Sequence, residues 1–286
     1  MFRKIFPAEK VIKKSSKSFF WFFFAALFFL GSPAQAQRSE IGVMFGGSYY
    51  LGDLNPTRQF AMTRIAGGGL YRHNFTEHLS LRVNGFLGSV EASDAIIGYN
   101  ETRNLSFRST IVELSVQGEV NFLPFEPGNL ETVYTPYFFA GIGGFSFNPK
   151  ARNSDGEWVE LQPLGTEGQG TEEHPDREPY NLFSYSALFG VGVKFNITRS
   201  LTGGLEWGLR RTGTDYLDDV STTYPASGAL TGEDARYFSD RSLVNRGENA
   251  GFQRGNPTTN DWYSFAGFIL TFKMPELMRT KCPAYN

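Results

Sequence analysis

The sequence predicts an all-β protein: an eight-stranded antiparallel up-and-down transmembrane β-barrel of the outer-membrane type, with long extracellular loops. Three observations predict it. Apolar and polar residues alternate with period two over many short stretches. The connections between those stretches alternate between long and short, as outer-membrane barrels require. Finally, 16% of the 286 residues are aromatic and 32 are glycine, yet beyond residue 36 no apolar run is long enough for a helical span. The longest, "YFFAGIGGFSF" (137–147), is interrupted by Gly141, Gly143 and Gly144.

The first 36 residues read as a secretory signal peptide. Arg3, Lys4, Lys10, Lys13, Lys14 and Lys17 form a basic region, followed by the apolar core "FFWFFFAALFFL" (19–30). "AQA" at 34–36 then supplies the small-x-small pattern of a cleavage site between Ala36 and Gln37. The core is short for a membrane anchor, which needs about 20 apolar residues. Cleavage removes six of the 27 basic residues and one of the 29 acidic ones, leaving 21 and 28 and a net charge of −7. A mature chain of that charge has no basic stripe, which argues against nucleic acid as a partner.

The barrel is expected over residues 37–274. Its clearest strand is "VELSVQGEVNF", with Val112, Leu114, Val116, Val120 and Phe122 on one face and Glu113, Ser115, Gln117, Glu119 and Asn121 on the other. The same alternation runs through Ile41, Val43, Phe45 and Tyr49, through Leu79 to Leu87, through Ala187 to Phe195, through Leu201 to Leu209, and through Phe268 to Phe272. Residues 61–75 and 135–148 are too rich in glycine for their faces to be assigned.

Eight strands follow, at 39–50, 61–75, 78–93, 107–123, 132–148, 181–197, 200–213 and 260–273, joined by connections of about 10, 2, 13, 8, 32, 2 and 46 residues. A chain that starts in the periplasm puts its odd, longer connections outside. Aromatic residues fall at both ends: Phe75, Phe122, Tyr137, Phe195 and Phe272 at the periplasmic one, and Tyr49, Tyr50, Phe147, Tyr185, Trp262 and Tyr263 at the outer one. These suit two interfacial girdles in contact with outer-membrane lipid. A soluble sandwich or lipocalin-like barrel also alternates, with its apolar face inward, but it has no need of girdles or of asymmetric loops.

Eight strands enclose a narrow interior filled by side chains. Glu113, Glu119, Arg82, Lys194, Glu206 and Arg210 are therefore expected to pair in the lumen, since buried charges are tolerated only when paired. A wide pore is not expected.

The candidate site is an acidic motif at the extracellular rim. "RTGTDYLDDVSTTYP" places Asp215, Asp218 and Asp219 within five positions, and "YLGDLNP" adds Asp53 at the same rim. Such a cluster can hold a metal ion, supply an acid–base pair, or cap the rim. "DYLDDVSTTY" lacks the alternating ligands and turn glycine of a calcium loop, and Arg210 and Arg211 lie close enough in sequence to neutralise it. Rim capping is the reading taken. His73 and His78 flank a periplasmic turn and His174 lies in a loop, so no histidine converges with the acidic motif. No catalytic, cofactor-binding or metal-binding residues are assigned, and no cofactor is expected. "GIGG" (141–144) and "GVG" (190–192) lie within strands and read as relief of crowding rather than as phosphate loops.

Residues 275–286 form a C-terminal tail on the periplasmic side. Pro275 ends strand pairing, and Arg279 and Lys281 give the segment a basic character. Cys282, the sole cysteine, cannot form an internal disulfide and is free or intermolecular. Arg279, Lys281 and Cys282 are candidate contacts for a periplasmic partner.

Taken together, "SEIGVMFGGSYYLGDLNP", "RNLSFRSTIVELSVQGEVNF", "TPYFFAGIGGFSFNPKA", "LQPLGTEGQGT", "TDYLDDVSTTY" and "KCPAYN" resemble the PorG-like outer-membrane β-barrel family associated with type IX (Por) secretion and gliding motility machinery. The similarity spans the mature chain, and Tyr50–Asp53, Gln162–Thr171 and Tyr216–Tyr224 carry most of it. The resemblance implies a non-enzymatic barrel that joins the secretion machinery to the outer membrane, beside periplasmic ring subunits of PorK-like lipoprotein and PorN-like type. It implies that the acidic cluster is a family hallmark at the extracellular rim, and it implies no catalytic residue. A surface-binding barrel of OmpX type, acting through its extracellular loops, is the alternative.

Overall fold

The structure is a computed structural model that describes residues 39–244 and 249–274. The cleavage site at Ala36 and Gln37 and the tail residues Arg279, Lys281 and Cys282 lie outside the described residues. Eight long strands form a closed antiparallel barrel: β1 (Ser39–Leu51), β2 (Arg64–Asn74), β3 (Leu79–Ser93), β4 (Ser106–Asn121), β5 (Tyr134–Arg152), β7 (Phe183–Asn196), β8 (Leu201–Thr212) and β9 (Trp262–Lys273). Each pairs with its neighbours in the chain, β1 pairs with β9, and the β4–β5 pairing leaves no open edge. A ninth, short strand, β6 (Trp158–Glu160), extends β5 beyond the barrel and has no counterpart in the sequence reading.

The connections separate the two ends. Turns at 75–78 and 197–200 and a connection at 122–133 lie at one end, and residues 52–63, 94–105, 153–182 and 213–261 at the other. The connection at 122–133 is longer than the alternation predicts. Asn196 holds it in place: its Nδ2 shares two hydrogens among the carbonyls of Glu126, Asn129 and Thr132, and its Oδ1 accepts from the Gly128 amide at 2.9 Å.

Period-two alternation fixes the two faces. On β4, Leu114 is 65% exposed and Gln117 is fully buried. Ile41, Val43, Phe45, Val83, Val112, Val191, Leu205 and Phe268 are also exposed. An outward apolar surface around a polar interior is the reverse of a soluble barrel and suits hydrocarbon, where a closed sheet satisfies every backbone group. The register also resolves the glycine-rich strands. Ala66, Leu70 and Arg72 of β2, and Tyr137, Phe139, Phe145 and Phe147 of β5, point inward.

The girdles are thinner than the sequence suggests. Tyr137, Tyr50, Phe147 and Tyr263 are buried in the interior because their positions share the parity of the lumen residues. Tyr49 faces outward but is covered by the loop that follows β1. Its hydroxyl donates to Oε1 of Gln59 at 2.7 Å, and its ring meets Phe60 at 4.8 Å.

The lumen has two layers. Towards the short turns, Glu40, Glu119 and Glu206 meet Arg72, Arg82 and Lys194. Arg72 Nη1 lies 3.2 Å from Glu40, Arg72 Nε 2.9 Å from Glu119, Arg82 Nη1 2.6 Å from Glu206 and 3.1 Å from Glu119, and Lys194 2.5 Å from Glu119. Above them Arg210 pairs with Glu113 at 3.3 Å. Among the described residues, four buried lumen carboxylates thus meet four buried cations, and their charges cancel. Glu40 and Arg72 join the six charges expected from the sequence. The upper layer is apolar, with Phe86, Val90, Phe107, Ile111, Phe145 and Phe265 in one cluster. Glycines admit the large rings: a Cβ at Gly190 would stand 2.4 Å from Phe139, and one at Gly192 2.5 Å from Tyr137. Crowding relief is therefore the role of the 190–192 glycines.

Candidate functional site

At the long-loop end the four connections fold into one cap, and the acidic motif is inside it. The apolar cluster of the upper barrel continues into the cap through Leu54, Leu161, Leu217, Val220 and Phe238, so the loops close over the strands as a second core. The connection 94–105 contributes α1 (Asp94–Ile97), and 213–261 contributes α2 (Glu233–Ser239), whose buried face is Ala235 and Phe238. Tyr180 stacks on Tyr216 at 4.6 Å, tying the third long loop to the fourth.

Three polar groupings hold the cap. In the first, the Tyr50 hydroxyl at the end of β1 lies 2.6 Å from Oδ2 of Asp218 and 2.6 Å from Oδ1 of Asp261. A phenol has one proton to donate. It gives that proton to one carboxylate and accepts from the other, which must be the neutral acid. Burial raises both Asp218 and Asp261 well above the ordinary carboxylate range, with repulsion from Asp261 and Asp53 adding at Asp218 and from Asp215 and Asp53 at Asp261, consistent with a retained proton.

The second grouping is built on Glu167, which is fully buried yet well served. Its carboxylate accepts from the amides of Ser221 (2.9 Å) and Thr222 (3.0 Å), the Thr222 hydroxyl (2.6 Å) and Arg254 Nη1 (3.0 Å). Arg254 also reaches Asp219 at 3.6 Å, and Asp219 accepts from Thr166 (2.6 Å) and Tyr180 (2.7 Å). Asp219 sits in the left-handed region at φ 67°, which Asp tolerates better than most residues. Burial lifts its pKa to about 6 against the opposing Arg254 charge. In the third grouping, Arg103 clasps both oxygens of Asp94 at 2.7 and 2.8 Å and donates to the carbonyls of Asp53 and Arg254.

The structure thus gathers Asp53, Asp215, Asp218 and Asp219 into one region. Asp53 accepts from the Asn256 amide at 2.8 Å. Asp215 is half-buried, and burial, with the charges of Asp53 and Glu167, lifts it to about 7.

The neutralising partners differ from those expected. Arg210 has inward parity and serves Glu113 in the lumen, and Arg211 is exposed on the outer face. Arg254 and Arg103, remote in sequence, take their place. Tyr50, Asp94, Arg103, Glu167, Arg254 and Asp261 were missed as site residues. "GTEGQGTEE" contains Glu167, but nothing local marks that carboxylate as buried.

His73 and His78 stand at the short-turn end, bonded to Ser39 Oγ (3.0 Å) and the Asn121 carbonyl (2.9 Å). Among the described residues no group of three or more His, Cys, Asp or Glu side chains is arranged to hold a metal ion. Chemically, the cap can lock loops together and store a proton.

Solved structures similar to the chain include Neisserial surface protein A (8% identity, TM-score 0.43, covering 84% of this chain and 100% of that one). Others are the outer membrane protein OprG of Pseudomonas aeruginosa (9%, 0.39, 83% and 98%) and the N-terminal β-barrel domain of Pseudomonas aeruginosa OprF (15%, 0.35, 84% and 100%). No curated protein matches the sequence. Residues 17–162, just over half of the chain, match one protein family, and the protein belongs to it: the family described as Domain of unknown function (DUF6089).

Proposed function

We propose that the protein is a non-enzymatic outer-membrane barrel of a type IX secretion system, linking the machinery to the membrane through contacts on its periplasmic side. The lumen supports this reading most directly. Among the described residues its buried charges are paired and its upper half is packed with aromatic rings, which turns the search for a partner from the lumen to the surface.

The short-turn end presents the connection 122–133, held by Asn196 and carrying exposed Leu123, Leu130 and Val133. Together with the basic tail, this surface is suited to the PorK-like and PorN-like ring subunits that the sequence resemblance implies. The experiment is affinity recovery of the tagged barrel from crosslinked cells, with the whole chain and with a chain truncated after Met274. The whole chain is expected to recover ring subunits, and truncation to abolish both recovery and cargo secretion while the barrel stays folded in the outer membrane. Failure of the whole chain to recover ring subunits would overturn the reading.

An OmpX-like surface-binding role is the second reading. It is favoured by an ordered cleft of about 710 Å³ among the long loops.

A further inference from the structure

That cleft has a chemistry of its own. It lies between the loop after β1, the loop after β3 and the last part of the loop before β9. Its volume falls within the range of small-molecule sites, about 300–1,000 Å³. Two aromatic side chains, Tyr99 and Trp262, and four carboxamides, Asn100, Gln253, Asn256 and Asn260, dominate its lining.

Carboxamides both donate and accept, which is what a ligand made of hydroxyl groups demands. Several are only half used. Asn256 Oδ1 accepts from Thr258, Asn260 Nδ2 donates to the Thr212 carbonyl, and Asn100 Oδ1 accepts from Thr102. Their opposite ends have no partner among the described residues.

The two cations in the lining argue against an anionic ligand. Arg103 is spent on Asp94 and on two backbone carbonyls. Arg254 is spent on Glu167, Asp219 and the carbonyls of Ser239 and Phe238. Neither has a free edge for a phosphate or sulfate, and Asp53 adds negative charge beside them. Neutral hydroxyls on flat apolar rings fit what is left.

The walls are pre-organised. Asn55 Nδ2 donates to the carbonyls of Tyr50 (2.7 Å) and Arg58 (2.8 Å). Gly255 lets the fourth loop approach the first, since a Cβ there would stand 2.5 Å from Asp53 Oδ2. A site that needs no ordering retains more of its contact energy.

We propose that this cleft binds a neutral saccharide, with sugar rings against Tyr99 and Trp262 and their hydroxyls on the carboxamides. Leu51 and Trp262, paired in register on the outward faces of β1 and β9, carry the cleft to the barrel wall. The sugar can therefore belong to a glycolipid headgroup in the same membrane or to a free glycan. The inference does not depend on a secretion role.

The test is calorimetric titration of the purified mature protein in lipid nanodiscs. The probes are neutral oligosaccharides of glucose, mannose, galactose and N-acetylglucosamine, with heparin oligosaccharide as the sulfated comparator. A parallel arm presents the same neutral sugars on glycolipids within the nanodisc. Binding of at least one neutral sugar is expected, weakened tenfold or more by Tyr99→Ala and by Asn256→Ala. Tyr99 is 66% exposed, so its removal leaves the fold intact, which heat-modifiable migration verifies. Binding in the free arm places the source in solution, and binding only in the glycolipid arm places it in the membrane. No neutral sugar bound in either arm, binding of heparin alone, or binding unmoved by both substitutions overturns the proposal.

Discussion

The hydroxyl of Tyr50, the penultimate residue of β1, lies 2.6 Å from Oδ2 of Asp218, 168 positions later in the chain. That contact, repeated on Asp261 at 2.6 Å, fastens the longest loop to the barrel rim. The acidic cluster is therefore an interior of its own, closed by a tyrosine that two carboxyls share.

Tyr50→Phe is expected to loosen the cap without unfolding the barrel. It takes the partner from Oδ2 of Asp218 and Oδ1 of Asp261, at about 1–3 kcal/mol for a buried polar atom left unsatisfied, while the Val220 and Leu217 amides keep their bonds to the other two oxygens. Limited proteolysis within 213–261 should accelerate while heat-modifiable migration is unchanged. A cleavage rate equal to wild type would mean the contact does not hold the cap.

The cap is also expected to weaken as pH rises. Burial raises Asp219 to about 6 and Asp215 to about 7 in the folded state, and holds Asp218 and Asp261 well above the ordinary carboxylate range. The unfolded value is about 3.9. A raised folded pKa stabilises fully below the unfolded pKa and is lost as pH climbs through the folded one. Arg254 opposes the shift of Asp219, and Asp53 and Glu167 add to that of Asp215. Asp240 runs the other way: hydrogen bonds from Ser242 and Asn249 lower it against its burial, so its contribution is lost only below about pH 4. Between pH 5 and 8 the raised groups dominate. Protease resistance of 213–261 should be greater at pH 5 than at pH 8, and the reverse order would contradict the assignment.

Leu114→Arg is expected to cost about 2–4 kcal/mol in assembly, because Leu114 faces outward near the middle of β4, where a guanidinium would meet hydrocarbon. Leu114→Phe should be tolerated. Refolding into lipid vesicles, read by gel migration, compares them, and equal yields would mean β4 does not present this face to lipid. A lumen arginine is no benign control. Gln117 is fully buried and accepts from Arg82 Nε at 3.2 Å, so Gln117→Arg sets one cation against another.

The barrel was legible from the sequence because period-two alternation is local, and β4 alone shows both faces. Arg72 was not, since the glycines of β2 mask its parity. Nor were Tyr50 and Tyr263 as interior residues: an aromatic ring near a strand end suits a girdle or a core equally well, and only register decides. The cap was legible as a composition but not as a site. Asp218 and Asp219 stand out as neighbours, whereas Tyr50, Glu167, Arg254 and Asp261 meet them only after the third and fourth long loops fold onto the end of β1. Proximity in sequence pointed to Arg210 and Arg211, and strand parity sends one into the lumen and the other outward.

Glu119 is the hub of the lumen, with Arg72 at 2.9 Å, Arg82 at 3.1 Å and Lys194 at 2.5 Å. Glu119→Gln leaves three buried cations around one fewer anion and gives a neutral interior a charge of about +1. Removing one partner of a buried pair costs about 3–5 kcal/mol, so the variant should unfold from vesicles at markedly lower urea than wild type. A second change isolates the electrostatic part. Lys194→Met removes the Lys194 charge, and combined with Glu119→Gln it restores neutrality while keeping an unbranched chain near the Tyr137 ring, 4.4 Å from the ammonium in the native protein. The double variant should recover part of the loss, with a coupling energy of about 0.5–3 kcal/mol. A single variant as stable as wild type, or a double variant no more stable than the single, would show that packing rather than charge balance holds the lumen closed.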